Sequence, residues 1–395
     1  MMLAEIRDLQ QLLLKKYNVK YKRYFFDKID FGQMTGIIGA RGVGKTTFLL
    51  QYLKQSKLSI SKKLYISADS VKIDSLFELA LQFHKEEGKL LIIDEIHKYQ
   101  NFEQELKNIY DMLDLQVIFS GSSALKIDNA KADLSRRAVI YEVEGMSFRE
   151  FIELKEGIEL PSYSLEEILN NHVNIAYELL EKFNLTLLFR EYLKYGYYPF
   201  YFDKKSHYLI KLNETINAVI EIDIPSVFAM EYQNIRNLKK LIRLVCESHP
   251  YTPNIKELLI KMEMGEDYRS LYRYLDYLHK AKILKVMRPS TRGDNIFTKP
   301  EKIYLNNTNL HYTYCNDAEI GTIREVFFMS MNFENIVTIP TKGDFLINNK
   351  YLFEVGGKNK GFKQIKDIEN SFVVADDIEI GSGSKVPLWL FGFLY

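Results

Sequence analysis

The chain has 395 residues, of which 53 are basic and 52 acidic, so its formal net charge is +1. At about 100–200 residues per domain, this length predicts two to three domains with full hydrophobic cores. A composition with 47% hydrophobic residues, 27% charged residues, 20 glycines and 9 prolines excludes a disordered or collagen-like chain and is typical of a globular protein.

The net charge hides local differences along the chain. The balance of basic over acidic side chains is +3 for residues 1–150, −6 for 151–232, +7 for 233–300 and −3 for 301–395. One basic segment therefore lies between acidic ones. Charge asymmetry of this kind bears on binding partners rather than on fold.

The first residues and the cysteines suggest a compartment. Residues 1–17 are amphipathic and include Glu5 and Asp8, so they are not typical of a signal peptide. No apolar run approaches the roughly 18 residues that span a bilayer, and we expect no membrane contact. Cys246 and Cys315 show no spacing typical of a metal site or a disulfide, which suits a reducing interior. These features predict a cytoplasmic protein.

A phosphate-binding loop is predicted where a short apolar strand, residues 35–39, runs into the pattern G-x-x-x-x-G-K-[ST] and then a helix. Glycines let backbone N–H groups surround phosphate oxygens, and the helix N-terminus adds the positive end of its dipole. In this interpretation Lys45 contacts the β- and γ-phosphates of ATP, and the Thr46 hydroxyl ligates Mg²⁺. The predicted nucleotide-binding residues are Gly39, Ala40, Arg41, Gly42, Val43, Gly44, Lys45, Thr46 and Thr47.

A second motif, which ends in two acidic residues, follows at residues 89–95. Four consecutive apolar residues indicate a buried parallel strand, and they lead into Asp94 and Glu95. We expect Asp94 to hold Mg²⁺ through its water shell and Glu95 to polarise the attacking water as a general base.

Residues beside two further predicted strands are candidates for contact with the γ-phosphate. Ser120 ends the strand that begins at Gln116, where it would sense the γ-phosphate or only make turn hydrogen bonds, and Ser122 is a weaker candidate. Arg136 and Arg137 precede the strand 139–143. Either is a candidate arginine finger that reaches the γ-phosphate of a neighbouring copy in a homo-oligomer, or a surface ion pair.

These residues resemble the AAA-type ATPases of bacteria and archaea that carry a C-terminal domain with a restriction-endonuclease-like fold. The motifs that carry the resemblance are G-A-R-G-V-G-K-T, L-I-I-D-E-I-H-K, F-S-G-S-S, D-L-S-R-R-A, S-F-R-E-F at 147–151 and G-Y-Y-P-F at 196–200. The first two are generic to P-loop ATPases, and the last four are more family-specific. The resemblance implies an α/β fold: a P-loop parallel sheet at 1–147, a helical lid at 148–232, a winged helix at 233–305 and a small endonuclease-like domain at 306–395.

The middle of the chain is helical in pattern. Between Leu165 and Phe183, apolar residues recur at spacings of three and four residues, which is the pattern of a helix and is expected for the lid. The basic segment predicts three helices, at 234–248, 253–262 and 268–280, and then a hairpin with strands 283–287 and 295–298. This order is that of a winged helix, which binds double-stranded DNA or serves only inter-domain packing. The candidate DNA contacts are Arg269, Tyr272, Arg273, Lys285, Arg288 and Arg292.

The C-terminal module has the carboxylates of a nuclease but not its lysine. Asp344 and Glu354 follow the order in which such nucleases bind Mg²⁺, so they form a candidate second metal site. Gly356 stands where the water-activating lysine is expected, and Lys358 lies about 7 Å further along the strand. A scaffold for assembly or partner docking is favoured over an active nuclease. The final apolar run, 386–395, predicts a buried strand or an oligomer contact.

The sequence therefore predicts an ATP-hydrolysing protein with ATP and Mg²⁺ as cofactors, coupled to DNA or a protein partner. A nucleotide-dependent assembly switch without a DNA role remains an alternative, and an ATP-gated nuclease is a third.

Overall fold

The structure is a computed structural model. It describes residues 3–17, 20–70, 73–121, 134, 136–228, 230–247, 253–288, 297–317 and 319–395. The chain forms two compact units, Met1–Gly145 and Met146–Tyr395.

The first unit contains one sheet of five parallel strands in the order β2-β3-β4-β1-β5. Its strands are β1 (Met34–Gly39), β2 (Lys63–Ser67), β3 (Leu90–Asp94), β4 (Gln116–Gly121) and β5 (Val139–Val143). Every residue of β1 and β3 is buried, as expected for strands covered by helices on both faces. The predicted α/β fold with a parallel sheet is confirmed for this unit.

Helices pack on this sheet through their apolar faces. They are α1 (Leu3–Lys16), α2 (Lys45–Gln55), α3 (Leu76–Lys85) and α4 (Phe102–Met112). Ile6, Phe83 and Leu106 from three of them share one core cluster with strand residues such as Ile93. Because the strands are parallel, the loops that follow β1, β3 and β4 lie at the same edge of the sheet.

The second unit begins with helices. They are α5 (Phe148–Glu156), α6 (Leu165–Leu180), α7 (Leu185–Tyr195), α8 (Tyr208–Ala218) and the short α9 (Ile224–Val227), with a π-helical turn at Val219–Asp223. Ser147 and Ser164 cap α5 and α6 with reciprocal serine–glutamate hydrogen bonds. The predicted helix from Leu165 ends at Leu180 rather than Phe183, because Asn184 caps the next helix.

The basic segment forms three helices and a two-stranded hairpin. The helices are α10 (Tyr232–Cys246), α11 (Ile255–Met262) and α12 (Tyr268–Lys280), and the antiparallel strands are β6 (Leu284–Met287) and β7 (Lys302–Leu305). The prediction of a second strand at 295–298 was wrong for Phe297 and Thr298, which lie in a turn, and its first two residues lie outside the described part. The second strand forms instead at residues 302–305, where Ile303, Tyr304 and Leu305 are buried, whereas Phe297 is exposed.

The two cysteines overturn a second prediction. Cys246 ends α10, Cys315 follows α13 (Thr308–Tyr314), and the two residues are joined in a disulfide with their Cα atoms 5.1 Å apart. Their separation of 69 residues gave no local signal, because the pairing depends on how α10 and α13 meet. The cysteines therefore do not support the reducing compartment that their spacing suggested.

The rest of the second unit is a helix packed on a mixed sheet. The helix α14 (Ile320–Met331) is followed by β8 (Val337–Thr338), β9 (Phe345–Ile347), β10 (Tyr351–Gly356), β11 (Ser371–Ala375) and β12 (Lys385–Pro387). Their order is β12-β11-β10-β9-β8, with β10, β11 and β12 parallel and the other pairs antiparallel.

The final apolar run is buried but is not one strand. After β12 the chain forms a 3₁₀ helix, Leu388–Phe393, in which every residue is buried. Ser147 Oγ and Arg149 Nε donate to the carbonyl of Tyr395 at 2.7 and 3.0 Å. A continuous apolar run cannot distinguish a buried strand from a buried helix, which explains the error. None of the helices in the described part of the chain has the length and apolar character that crossing a membrane requires.

Candidate functional site

The loop between β1 and α2 has the backbone that phosphate binding requires. Gly42 and Gly44 adopt left-handed conformations with φ of 89° and 100°. A Cβ on Gly39 would lie 2.2 Å from the carbonyl oxygen of Val143 on the neighbouring strand β5, so only glycine fits there. The loop therefore curls at the N-terminus of α2 with its backbone N–H groups unobstructed by side chains at these glycines.

A buried arginine that the motif did not predict supports this loop. Arg23 donates from Nη1 to the carbonyl of Val43 at 2.7 Å and from Nη2 to the carbonyl of Glu144 at 3.1 Å. It thereby links the loop to the chain that follows β5. Arg23 lies outside every sequence pattern, so no signal pointed to it.

Lys45 lies over the loop. Its side chain is buried, and Nζ donates to the carbonyls of Gly39 and Ala40 at 2.9 and 2.8 Å. Both acceptors belong to the loop itself, so the ammonium is held at the concave face where phosphate oxygens would lie.

Asp94 is the centre of a hydrogen-bond network at the carboxyl ends of β2, β3 and β4. Its Oδ2 accepts from Thr46 Oγ1 at 2.7 Å and from the Tyr65 hydroxyl at 2.8 Å. Its Oδ1 accepts from Ser120 Oγ and from the backbone N–H of Glu95. The structure thus brings Thr46, Asp94 and Ser120 together, as their positions in the sequence suggested.

Tyr65 is the member of this network that sequence reasoning missed. It is buried in β2, and the register that pairs Ser67 with Asp94 brings β2 alongside β3. Burial and the neighbouring Asp94 carboxylate raise the pKa of Tyr65 well above its ordinary value, so the hydroxyl stays protonated and donates. A tyrosine between the apolar Leu64 and Ile66 of a strand was the available signal.

Glu95 follows β3 in a left-handed conformation, with φ of 54°. This backbone turn is uncommon for a residue with a side chain, and it separates the direction of Glu95 from that of Asp94. The Glu95 carboxylate is 21% exposed and lies 3.5 Å from Nδ1 of the buried His97. Glu95 is therefore placed where water can reach it, next to the Asp94 network.

The oxygen donors at this site suit Mg²⁺. The Thr46 hydroxyl and the Asp94 carboxylate are hard ligands of the kind that Mg²⁺ accepts together with phosphate oxygens. No group of three carboxylate, imidazole or thiolate side chains in the described residues could hold a metal ion alone. The protein groups therefore fit a cation that takes most of its ligands from a nucleotide and water.

The two candidate finger arginines have different surroundings. Arg137 makes a bidentate ion pair with Asp111 of α4, with Nε–Oδ1 and Nη2–Oδ2 distances of 2.9 Å, and this hydrogen bonding lowers the pKa of Asp111. Arg136 is exposed and makes no ion pair with any residue that the structure describes. Ser122 lies outside the described residues.

The carboxylates of the second unit are paired with lysines. Glu354 on β10 is fully buried, and its Oε1 lies 2.5 Å from Nζ of Lys360. A Cβ on Gly356 would lie 2.7–2.9 Å from the aliphatic carbons of Lys360, so the stem of that lysine fills the space above the glycine. Lys360, and not the exposed Lys358, is therefore the lysine at Glu354. Burial raises the pKa of Glu354, and the Lys360 ammonium opposes this shift.

Asp344 and Glu325 complete this cluster. The backbone N–H of Val355 donates to Asp344 Oδ2 at 2.8 Å, and Lys302 Nζ lies 3.9 Å from the other oxygen. Glu325 of α14 accepts from Lys302 at 3.0 Å and from Tyr304 at 2.5 Å. Two lysines are thus built in among three carboxylates, and the set does not form a metal centre as it stands.

The candidate DNA contacts divide into two groups. Arg269, Tyr272 and Arg273 lie on the outer face of α12, and both arginines are exposed. Arg288 is turned inward, because its guanidinium lies 3.8 Å from Asp276 and its side chain is only 20% exposed. Lys285 lies near His279, whose pKa falls to about 3 through burial and then through this and neighbouring positive charges. Arg292 lies outside the described residues.

The first unit matches a known domain family. Residues 32–152 match a family model described as an AAA domain. This part of the chain, which includes the parallel sheet of the first unit, is therefore similar to AAA domains. Residues 186–316 match a family described as a domain of unknown function, which leaves the winged helix and the endonuclease-like domain as predictions.

Relatives of the whole chain are distant. An uncharacterized protein of Methanocaldococcus jannaschii is 27% identical over 425 aligned positions, covering 95% of this chain and 88% of that protein. AMPPCP-bound DnaA from Aquifex aeolicus has a TM-score of 0.24 at 16% identity, over 71% of this chain and 90% of the other. The Thermotoga maritima RuvB Holliday junction branch migration motor has a TM-score of 0.26 at 14% identity, over 73% of this chain and 90% of the other. Likenesses this remote do not bear on the function of this chain.

Proposed function

We propose that this chain binds ATP with Mg²⁺ and hydrolyses it to ADP and phosphate at the carboxyl edge of the first sheet. The observation that carries the proposal is the convergence of Lys45, Thr46 and Asp94 beside the glycine loop, with Glu95 next in the chain. These are the groups that P-loop hydrolysis requires: a phosphate cradle, a cation ligand and a base.

Each residue has a distinct role in this proposal. Lys45 exchanges its carbonyl partners for oxygens of the β- and γ-phosphates. Thr46 would ligate the metal through its oxygen while its hydroxyl keeps its proton and donates it in a hydrogen bond to Asp94. Glu95 accepts the proton of the attacking water. Ser120 senses the γ-phosphate from the end of β4. Mg²⁺ would neutralise the charge that develops on the phosphate oxygens.

A neighbouring copy is the proposed source of one further charge. Arg136 is the better candidate for an arginine that acts in trans, because Arg137 is held by Asp111 of its own chain. Its exposed guanidinium could donate to the γ-phosphate bound by a second copy in a homo-oligomer.

For the carboxylate cluster of the second unit we favour a structural role. Lys360 and Lys302 neutralise Glu354 and Glu325 within the fold, and buried carboxylates need such partners. Metal-dependent cleavage has less support, since an ammonium group occupies the position beside each of these carboxylates.

The basic segment supports coupling of the ATPase to DNA. Three helices followed by a hairpin is the element order of a winged helix, and α12 presents its exposed arginines on the outer face. We propose that the binding of DNA by α12 depends on whether the first unit holds ATP or ADP. The alternative is a switch in which the nucleotide controls assembly and DNA has no role.

The experiment compares Lys45→Ala with the matched variant Lys54→Ala, which removes an exposed lysine from the same helix. Loss of charge-assisted hydrogen bonds to phosphate should weaken ATP binding by roughly 10- to 100-fold in the Lys45 variant only. Nucleotide binding and phosphate release are measured with and without DNA. Coupling predicts faster release by the wild type when DNA is present, whereas a rate that DNA leaves unchanged favours the switch. Equal ATP affinity of the two variants would refute the site.

A further inference from the structure

A small cavity on α12 has an unusual lining. It measures about 530 Å³ and is lined by Tyr268, Arg269, Tyr272, Arg273 and Phe297, which we call the aromatic–arginine patch. Among the residues that the structure describes, three aromatic rings and two guanidinium groups form this lining, and none of its members is a carboxylate. A ligand suited to it is planar, aromatic and negatively charged.

The two arginines of the patch differ from most cations of the basic segment. Lys239, Lys240 and Arg243 on α10 each lie within 3.0 Å of a glutamate, and Lys280 pairs with Asp276. Arg269 and Arg273 make no ion pair with any residue that the structure describes.

The nearest carboxylate does not occupy the patch. Asp267 accepts a hydrogen bond from the backbone N–H of Ser270 at 3.0 Å, which caps α12. This bonding, and after it the charges of Arg273 and Arg269, lower the pKa of Asp267, but neither arginine forms an ion pair with it. Asp267 therefore faces the helix N-terminus. The two guanidinium groups remain available for phosphate oxygens.

The aromatic rings form a surface for stacking. Tyr268 and Tyr272 are one turn apart on α12, and Phe297 is 44% exposed. The rings of Tyr272 and Phe297 meet edge to face, with centroids 6.2 Å apart and planes at 84°. Leu271, Leu275 and Leu278 bury the opposite face of α12, so the orientation of the patch is fixed by the core.

We propose that the aromatic–arginine patch binds single-stranded nucleic acid, with bases stacked on its rings and phosphates held by Arg269 and Arg273. This inference rests on the proposed coupling to DNA and names the form of the strand. The faces of bases in a duplex are covered by their neighbours, so only unpaired bases can stack on protein rings.

The rest of the segment argues against duplex docking. A protein that follows a duplex backbone needs an extended stripe of available cations. The cations of α10 are largely paired, and Arg288 of the hairpin faces Asp276 rather than solvent. Arg269 and Arg273, two exposed cations without an ion pair among the described residues, lie directly beside the aromatic rings. Proteins that hold single strands by stacking combine cations and rings in this way.

The test measures equilibrium binding of the full, nucleotide-free chain to labelled oligo(dT), to oligo(rU), to a hairpin duplex and to an abasic strand of equal length. We expect either base-bearing single strand to bind at least about 10-fold more tightly than the duplex and the abasic strand. The two single strands distinguish DNA from RNA. The proposal would be overturned if the chain bound the duplex or the abasic strand as tightly as it binds oligo(dT) and oligo(rU).

Matched variants locate the contact. Tyr272→Ala should weaken single-strand binding about 10-fold or more, whereas Tyr272→Phe should retain it because phenylalanine also stacks. Tyr232→Ala removes an exposed tyrosine from α10 and should have no effect. Arg269→Gln and Arg273→Gln should each reduce the slope of log affinity against log salt by about 0.7, and Arg236→Gln serves as their control.

The outcomes separate this proposal from the one on which it rests. Equal losses in Tyr272→Ala and Tyr232→Ala would contradict the patch. If a duplex binds more tightly than a strand, coupling to DNA survives and the single-strand assignment fails. If nothing binds, both DNA proposals fail, while the comparison of Lys45→Ala with Lys54→Ala still reports on ATP binding.

Discussion

Asp94 is held more firmly than a metal-site carboxylate needs to be. Four donors reach its two oxygens: Thr46, Tyr65, Ser120 and the backbone N–H of Glu95. With its orientation fixed, the carboxylate cannot turn away from the loop, and the network connects three neighbouring strands. At the residue scale, the proposed hydrolysis depends on this orientation.

Tyr65→Phe tests that dependence by removing one hydroxyl from the network. Because the Tyr65 hydroxyl bonds Asp94, a proposed metal-site residue, we expect ATP binding without metal to stay unchanged. The Mg²⁺ concentration that gives half-maximal hydrolysis should rise by roughly 10-fold, as for loss of an outer-sphere partner. Tyr110→Phe on α4 makes the same chemical change elsewhere in the unit. An unchanged Mg²⁺ dependence in Tyr65→Phe would mean that the hydroxyl only stabilises the fold.

The motif residues of this site were predictable, and their supports were not. Thr46 and Asp94 lie at fixed places in a loop and at a strand end, and parallel strands bring such places to one edge. Tyr65 and Arg23 act through the register of β2 and the path of the chain before β1, which the sequence does not encode locally. Lys360 was missed for a related reason, since a turn after β10 returns it to Glu354.

At the scale of elements, the strands of the parallel sheet were easier to predict than the second strand of the hairpin. β3 and β5 lie where their apolar runs placed them. The second hairpin strand was misplaced because residues 295–298 and 302–305 both contain apolar residues, and only pairing with β6 distinguishes them. The more family-specific motifs also have structural roles, since Ser147 and Arg149 both hold the carbonyl of Tyr395.

The disulfide between α10 and the residue after α13 gives a prediction at this scale. Closing a loop across 69 residues restricts the unfolded chain, and its loss should reduce the free energy of unfolding by up to about 4 kcal/mol. Thermal unfolding is measured with and without reductant, and Cys246→Ser serves as a control that reductant should not affect. A transition of the oxidised wild type that reductant leaves unchanged would show that the crosslink does not contribute to stability.

At the scale of the whole molecule, the near-neutral net charge conceals a division of roles. Much of the basic segment's charge is matched by carboxylates close by, as for Lys240 with Glu263. Exposed cations that make no ion pair with a described residue include Arg269 and Arg273 on α12, Arg236 on α10 and Lys256 on α11. Net charge is therefore a poor guide to the partners of this chain, and the pairing of individual cations is a better one.

The central claim is that the first unit hydrolyses ATP with Glu95 as the base. The most direct test is the rate of phosphate release from saturating Mg²⁺·ATP by Glu95→Gln, with Glu103→Gln on α4 as the matched change. Removing the base should lower the rate about 100- to 10,000-fold while ATP affinity is retained. The Glu103 variant should match the wild type. Hydrolysis by Glu95→Gln at the wild-type rate would contradict the account.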